Sequence, residues 1–226
     1  MNIIPNLEKA LFLAKKQLSE LVYDAVNLEG VNYTLPEVQT LLDGVTVGGH
    51  KQTDELIALN QIEAWKFLFK IIKNKDFNLS DKVVCQLQAK VAKREALTWG
   101  EFRAGGISIS GTKYLPPNHQ ELPNLWQQLS TKPMPSNTDD LYQYAVSLFL
   151  QMARTQFFYD GNKRTGRLMM NGILLQNGLP VINLPASKQL EFNQLMLDFY
   201  PSNNEAPMQA FMRSCLNPQH LDIMAE

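Results

Sequence analysis

Between residues 156 and 167 the chain reads QFFYDGNKRTGR. It brings together one carboxylate (Asp160), one glycine (Gly161), one amide (Asn162) and three cations (Lys163, Arg164 and Arg167). These types suit a phosphate. Glycine lets a backbone approach a ligand closely, and asparagine can cap a following helix. Arg164 and Arg167 are three residues apart, so on a helix they share a face and can address an anion with bidentate donors. A helix opening here also aims unpaired N–H groups and a partial positive charge at the same point. Asp160 offers one carboxylate at the mouth, which suits Mg²⁺ taking its other ligands from water and phosphates. Each part has an ordinary counterpart: Asp-Gly-Asn is a common turn, paired arginines are commonly solvated, and Asp160 is a candidate N-cap. Their convergence favours an anion site, and the Walker spacing is absent.

What this stretch lacks is a base. The polar residue at its head is Gln156, and an amide cannot take up a proton near neutral pH. The three histidines, His50, His119 and His220, are distant in sequence. His50 and His119 are the two considered for an approach in space, against the structural role a lone histidine more commonly has.

The elements that must position these residues are helical nearly throughout. Leu7, Ala10, Leu11, Ala14, Leu18 and Leu21 trace one face of a first helix. LPEVQTLLDG is a short helix with Pro36 early and Gly44 just past its end. Thr53 is placed to cap a longer helix, and Ser80 another. Leu141, Tyr144, Ala145, Leu148, Phe149 and Met152 form the inward stripe of a long helix begun at Thr138-Asp139-Asp140, which leaves Gln156 on the apolar side where that helix ends. Helices over 164–176, 186–200 and 207–216 follow. The period changes only in RAGGISISGTKYLPP, where Ile107, Ser108, Ile109 and Ser110 alternate between glycines, the pattern of a short strand or hairpin.

The 226 residues are 45% hydrophobic and 19% charged, with a net charge of −1. This is globular composition, and it gives no bulk electrostatic case for nucleic acid or an anionic membrane. Lys90, Lys93 and Arg94 read as a solvated helix face. No run approaches the ~18 apolar residues of a membrane span, and the first residues lack the basic and small-residue pattern of a secretory signal. Two cysteines are too few for a disulfide framework and lack zinc spacing. A cytoplasmic protein is expected, with neither nucleic acid nor membrane as partner. With no repeat, linker or low-complexity tract, residues 1–50 read as an N-terminal helical region forming one compact domain with a core over 51–226.

The motif resembles that of the Fic (Fido) family, whose signature runs His-x-Phe-x-Asp/Glu-Gly-Asn-Gly-Arg-x-x-Arg. Phe158, Asp160, Gly161, Asn162, Arg164 and Arg167 match it. EFRAGGISISGTKYLPP is similar to the family's flap and the Tyr-x-Pro-Pro after it, and the N-terminal region also resembles the family, so the likeness covers most of the chain. It implies an all-α, mainly helical Fic/Fido fold with one short β-hairpin flap. It further implies transfer of AMP from ATP to a hydroxyl of a target protein. By resemblance, Asp160 binds Mg²⁺, Gly161 and Asn162 the phosphates, and Arg164 and Arg167 the distal phosphates. Residues around Ile107, Ser108 and Ile109 register an unknown target by strand addition.

Two departures stand against these matches. The family's catalytic histidine, which deprotonates the target hydroxyl, aligns with Gln156. The usual second glycine is Lys163, and GNKR is similar to the Doc branch, whose members phosphorylate a target, although Arg167 is retained. Nearer the N-terminus, AVNLEG resembles the family's inhibitory motif Ser/Thr-x-x-x-Glu-Gly, with Glu29 and Gly30 in place and Ala25 where a hydroxyl belongs. Pairing of Glu29 with Arg167 is the expectation. The reading is a nucleotide-phosphate-binding Fic-family protein, autoinhibited in type, with transferase activity weak or lost. The alternatives are a working AMP or phosphoryl transferase with a substitute base, and a non-catalytic interaction module. Self-association and a toxin–antitoxin role are left open.

Overall fold

The computed structural model describes residues 2–226. Helix α8 (Asn162–Gln176) is its axis, and every residue from Arg164 to Leu175 is buried. Amphipathic helices surround it, since a helix enclosed on all sides has no polar face to give to water. Helix α7 (Thr138–Thr155) lies along it, brought close at Gly166, where an added Cβ would stand 3.0 Å from Cδ2 of Phe149. Helices α1 (Leu7–Lys16), α4 (Gln52–Lys73) and α5 (Asp81–Val91) pack on its other sides. At Gly172 a Cβ would come within 2.2 Å of the Phe77 ring, so the helix surface is hollowed to admit that ring.

Helices α2 (Leu18–Asn27) and α3 (Leu35–Leu42) lie against α4. Helix α6 (Leu122–Ser130) follows the flap. Helices α9 (Gln189–Ser202), α10 (Ala206–Arg213) and α11 (Pro218–Ala225) complete the chain. One hydrophobic cluster runs from Ile3 to Met224 and joins the two ends of the sequence. No helix among the described residues is long and apolar enough to cross a membrane.

The expected β-hairpin is not formed. Among the described residues there is no strand, only an isolated bridge between Ile182 and Leu216. The alternation in the flap is nonetheless expressed, with Ile107 and Ile109 half-buried and Ser108 and Ser110 exposed. What is missing is a partner, because no backbone–backbone hydrogen bond closes within residues 104–116. Periodicity reports which side a residue faces, not whether a ladder exists.

Other boundaries move as well. The first apolar stripe is two helices, broken at Gln17 (φ −89°, ψ 6°), because a one-residue break leaves the leucines nearly in phase. Lys51, not Thr53, precedes α4, and α11 lies beyond the expected helices. The helix expected to begin at Arg164 begins at Asn162, with Gly161 as its N-cap.

Candidate functional site

The site forms where α7 stops. Gln156 turns into the left-handed region (φ 54°, ψ 66°) and donates its N–H to Met152 O at 3.0 Å. That conformation costs a non-glycine residue about 1 kcal/mol. The Gln156 side chain offsets it, with Nε2 donating to Ala153 O at 2.7 Å and Oε1 accepting from Asn162 Nδ2 at 2.9 Å. Phe157 and Phe158 then plunge into a cluster with Phe102 and Trp126, fully buried, which anchors the loop from beneath.

Asn162 does not cap α8. Its Oδ1 accepts from Phe158 N at 2.9 Å and its Nδ2 donates to Phe158 O at 2.7 Å, so the amide holds the loop that precedes its own helix. No side chain caps α8, and its first-turn N–H groups are left for a ligand or water. Gly161 (φ 75°) is required twice over, since a Cβ there would also lie 2.9 Å from Val91 Cγ1. The buried Gln88 ties the loop to α5, donating from Nε2 to Asp160 O at 3.1 Å and accepting from Gly100 N at 2.6 Å.

The cations differ in what they are free to do. Arg164, 4% exposed, donates from Nη1 to Glu95 Oε2 at 2.8 Å, and Asn60 Nδ2 holds the other Glu95 oxygen at 2.6 Å. Asp160 Oδ1 lies 3.5 Å from Arg164 Nη2, and Glu29 Oε2 lies 3.9 Å from its Nε. Burial pulls the Arg164 pKa down, but Glu29, Glu95 and Asp160 outweigh it and hold it above the usual arginine value.

Arg167 is also buried, and neither Nη has a hydrogen-bond partner. Its nearest acid is Glu29, whose Oε1 is 3.8 Å from Nη2, an ion pair too long for a hydrogen bond. Burial lowers the Arg167 pKa, with Glu29 opposing. Arg167 lines a small hollow of about 20 Å³ with Ala25 and Gln61 rather than the main cleft. Lys163 sits 6.0 Å from the Phe192 ring centre, and burial lowers its pKa against the pull of Glu29.

The main cleft has a volume of about 550 Å³. Its floor is Gln156 and residues 159–164, one wall is the flap from Ile107 to Gly111, and the other is the α9 face carrying Asn193, Met196, Leu197 and Tyr200. Glu29 stands at its end, and Gly30 (φ 79°) makes the turn that puts it there. The far limb of the flap is held by Tyr114, stacked on Tyr200 at 6.4 Å and covered by the Arg154 guanidinium at 4.2 Å.

None of the three histidines lines the cleft. His50 stacks on Tyr33 at 3.7 Å and contacts Glu37 Oε1 at 3.2 Å, which is a structural role. The described residues hold no cluster of three His, Cys, Asp or Glu that would bind a metal unaided. Asp160, with its side chain 54% exposed, is the one carboxylate at the mouth besides Glu29. Both cysteines are free. Sequence reasoning missed Glu95, Asn60, Gln88 and Arg103, none of which lies within the phosphate-binding stretch.

Residues 78–174 match the model of the Fic/DOC family. The chain is similar to protein adenylyltransferase Fic of Drosophila virilis, at 25% identity over 224 residues, covering 94% of this chain and 44% of that protein. The Drosophila melanogaster protein of the same name is 25% identical over 215 residues, covering 90% and 41%. The chain thus spans less than half the length of these curated relatives. Among solved structures, a Fic-domain-containing signaling protein from Bacteroides thetaiotaomicron superposes with a TM-score of 0.79 at 19% identity, over 98% of this chain and 90% of that one. Fic-1 from C. elegans gives 0.72 at 17% identity, over 92% and 69%. At these identities the likeness is one of fold.

Proposed function

We infer that the chain is a Fic-family protein, on the match of residues 78–174 to the Fic/DOC model, and that its cleft binds the phosphates of a nucleotide, related to protein AMP transfer, with transferase chemistry weak or lost. The observation that carries this reading is Gln156. Its amide is fixed on both sides by Ala153 and Asn162, and no histidine lines the cleft. Without a positioned general base, the hydroxyl of a target keeps its proton, a loss of ~10²–10⁴ in rate.

The binding parts fit a nucleotide with its metal. The uncapped start of α8 presents backbone donors, Lys163 supplies a cation beside them, and exposed Asp160, whose Oδ1 accepts from Gly161 N, leaves Oδ2 for a metal ligand position. Mg²⁺, when bound, would neutralise phosphate charge. Arg164 contributes field more than hydrogen bonds, because Glu95 holds its Nη1. Glu29 occupies the end of the cleft between Arg164 and Arg167, where it would repel a distal phosphate. The flap offers an unpaired edge for an extended target segment.

A second reading, a working AMP or phosphoryl transferase, draws on Lys163. Its amine lies on the cleft with a pKa lowered by burial, the direction a substitute base requires. Calorimetric titration of Mg-ATP into the wild type and into Glu29→Gly tests the main reading. Binding that appears or tightens in the variant supports a nucleotide pocket gated from α2. Absence of binding in both proteins overturns it.

A further inference from the structure

Arg103 is 3% exposed and stands at the entrance to the flap. Its backbone N–H bonds Phe157 O at 2.9 Å. Its side chain donates in three directions: Nε to Gln156 O, Nη1 to Gly105 O and Nη2 to Pro117 O, each at 2.6 Å. All of these acceptors are backbone carbonyls, and no carboxylate pairs with the guanidinium. Burial accordingly lowers its pKa, with only Tyr159 opposing.

A buried cation without a counter-ion is an expensive way to fill space. An apolar side chain would pack there at less cost, so the position calls for what a guanidinium alone provides, a rigid planar fork with donors on several edges. The three carbonyls explain the need. Gly105 opens the flap and Pro117 closes it, yet no backbone ladder joins the two limbs. Bringing the ends of such a segment together costs chain entropy that cross-strand bonds ordinarily offset. Here one side chain draws both ends to a single point. That point is also the carbonyl of Gln156, the left-handed residue at the head of the cleft floor.

We propose that Arg103 is the positioning residue of this site, closing the flap in place of a strand ladder and fixing its height above residue 156. The role rests on the cleft reading above, but its tests are independent of nucleotide binding. Arg103→Lys keeps a cation yet cannot reach three divergent acceptors. In this variant the ¹⁵N order parameters of the flap amides at 106–115 are expected to fall from about 0.85 to below about 0.6, while those of α4 and α8 stay rigid. Unchanged flap order parameters, or a fall shared equally by α4 and α8, overturn the proposal. The wild-type protein gives a second measurement that holds if the variant fails to fold. The ¹⁵N spectrum of the Arg103 guanidinium should show separate, slowly rotating Nη groups, and averaged Nη signals would sink the clamp. Loss of ATP binding in the calorimetric experiment, with the flap still ordered through Arg103, would remove the nucleotide reading and leave the clamp intact.

Discussion

Asn162 donates to the side-chain oxygen of Gln156 at 2.9 Å, and the same amide nitrogen donates to Phe158 O at 2.7 Å. The residue that opens the central helix therefore holds the residue that ends the one before it, one amide bridging the loop between them.

That closure predicts the outcome of Gln156→His. The imidazole Nδ1–H can donate to Ala153 O as the Gln156 Nε2 does now, which leaves Nε2 unprotonated to face the cleft as an acceptor. The variant is expected to label itself, or a supplied protein, from radiolabelled Mg-ATP about 10²–10⁴-fold faster than the wild type. Equal labelling in both would show that Gln156 is not what limits transfer.

Glu95 is the partner that holds Arg164. Changing it to Gln removes the one hydrogen-bonded carboxylate of a buried guanidinium and leaves only the longer pairs with Asp160 and Glu29, and the variant is expected to lose about 3 kcal/mol of stability in denaturant titration. Asn60→Ala, which removes only the bond at 2.6 Å to Glu95 and one to Lys93 O, should cost about 1 kcal/mol. Released from Glu95, Arg164 should also bind anions in the cleft more tightly, so Glu95→Gln is expected to trade stability for phosphate affinity.

Ala25 lines the hollow beside Arg167, whose Nη groups lack partners. A hydroxyl here has room to accept from one of them. Ala25→Ser is expected to stabilise the protein by about 1 kcal/mol, less the small helix cost of serine. It should weaken Mg-ATP binding by fixing α2 more firmly. A lower melting temperature with unchanged ATP affinity would show that the hollow does not communicate with the cleft.

The cap of α3 gives a pH signature. Glu37 accepts from Thr34 N at 2.7 Å, Thr34 Oγ1 at 2.8 Å and contacts His50, and these hold its pKa down at about 2. A carboxyl depressed in the fold stabilises above its unfolded pKa, and that stabilisation fades as pH falls from about 4.5 toward 2. Glu37→Gln should abolish this part of the acid dependence, and the Glu37 carboxyl ¹³C resonance should titrate near the bottom of that window.

The sequence made α7, the loop and α8 legible because periodicity and a dense local motif both live within a few turns of chain. Gly161 was likewise readable from local chemistry, whereas the capping box at Thr34, equally local, was missed. Glu95 and Arg103 were not, since their partners lie 69 and 53 residues away and only the fold brings them together. The same limit explains Asn162. Its type fits a cap, but the loop folds back and offers it Phe158 first. Alternation in the flap was read correctly as sidedness and wrongly as pairing.

The unpaired edge from Ile107 to Ser110 also sets a time scale. Each backbone bond a visiting segment makes there is worth a net of about 0.5–1.5 kcal/mol, and so short an edge can offer only a few. A partner held by this edge alone would leave quickly. Long residence would have to come from contacts made elsewhere, so for any such partner this edge alone would give repeated brief visits rather than a lasting complex.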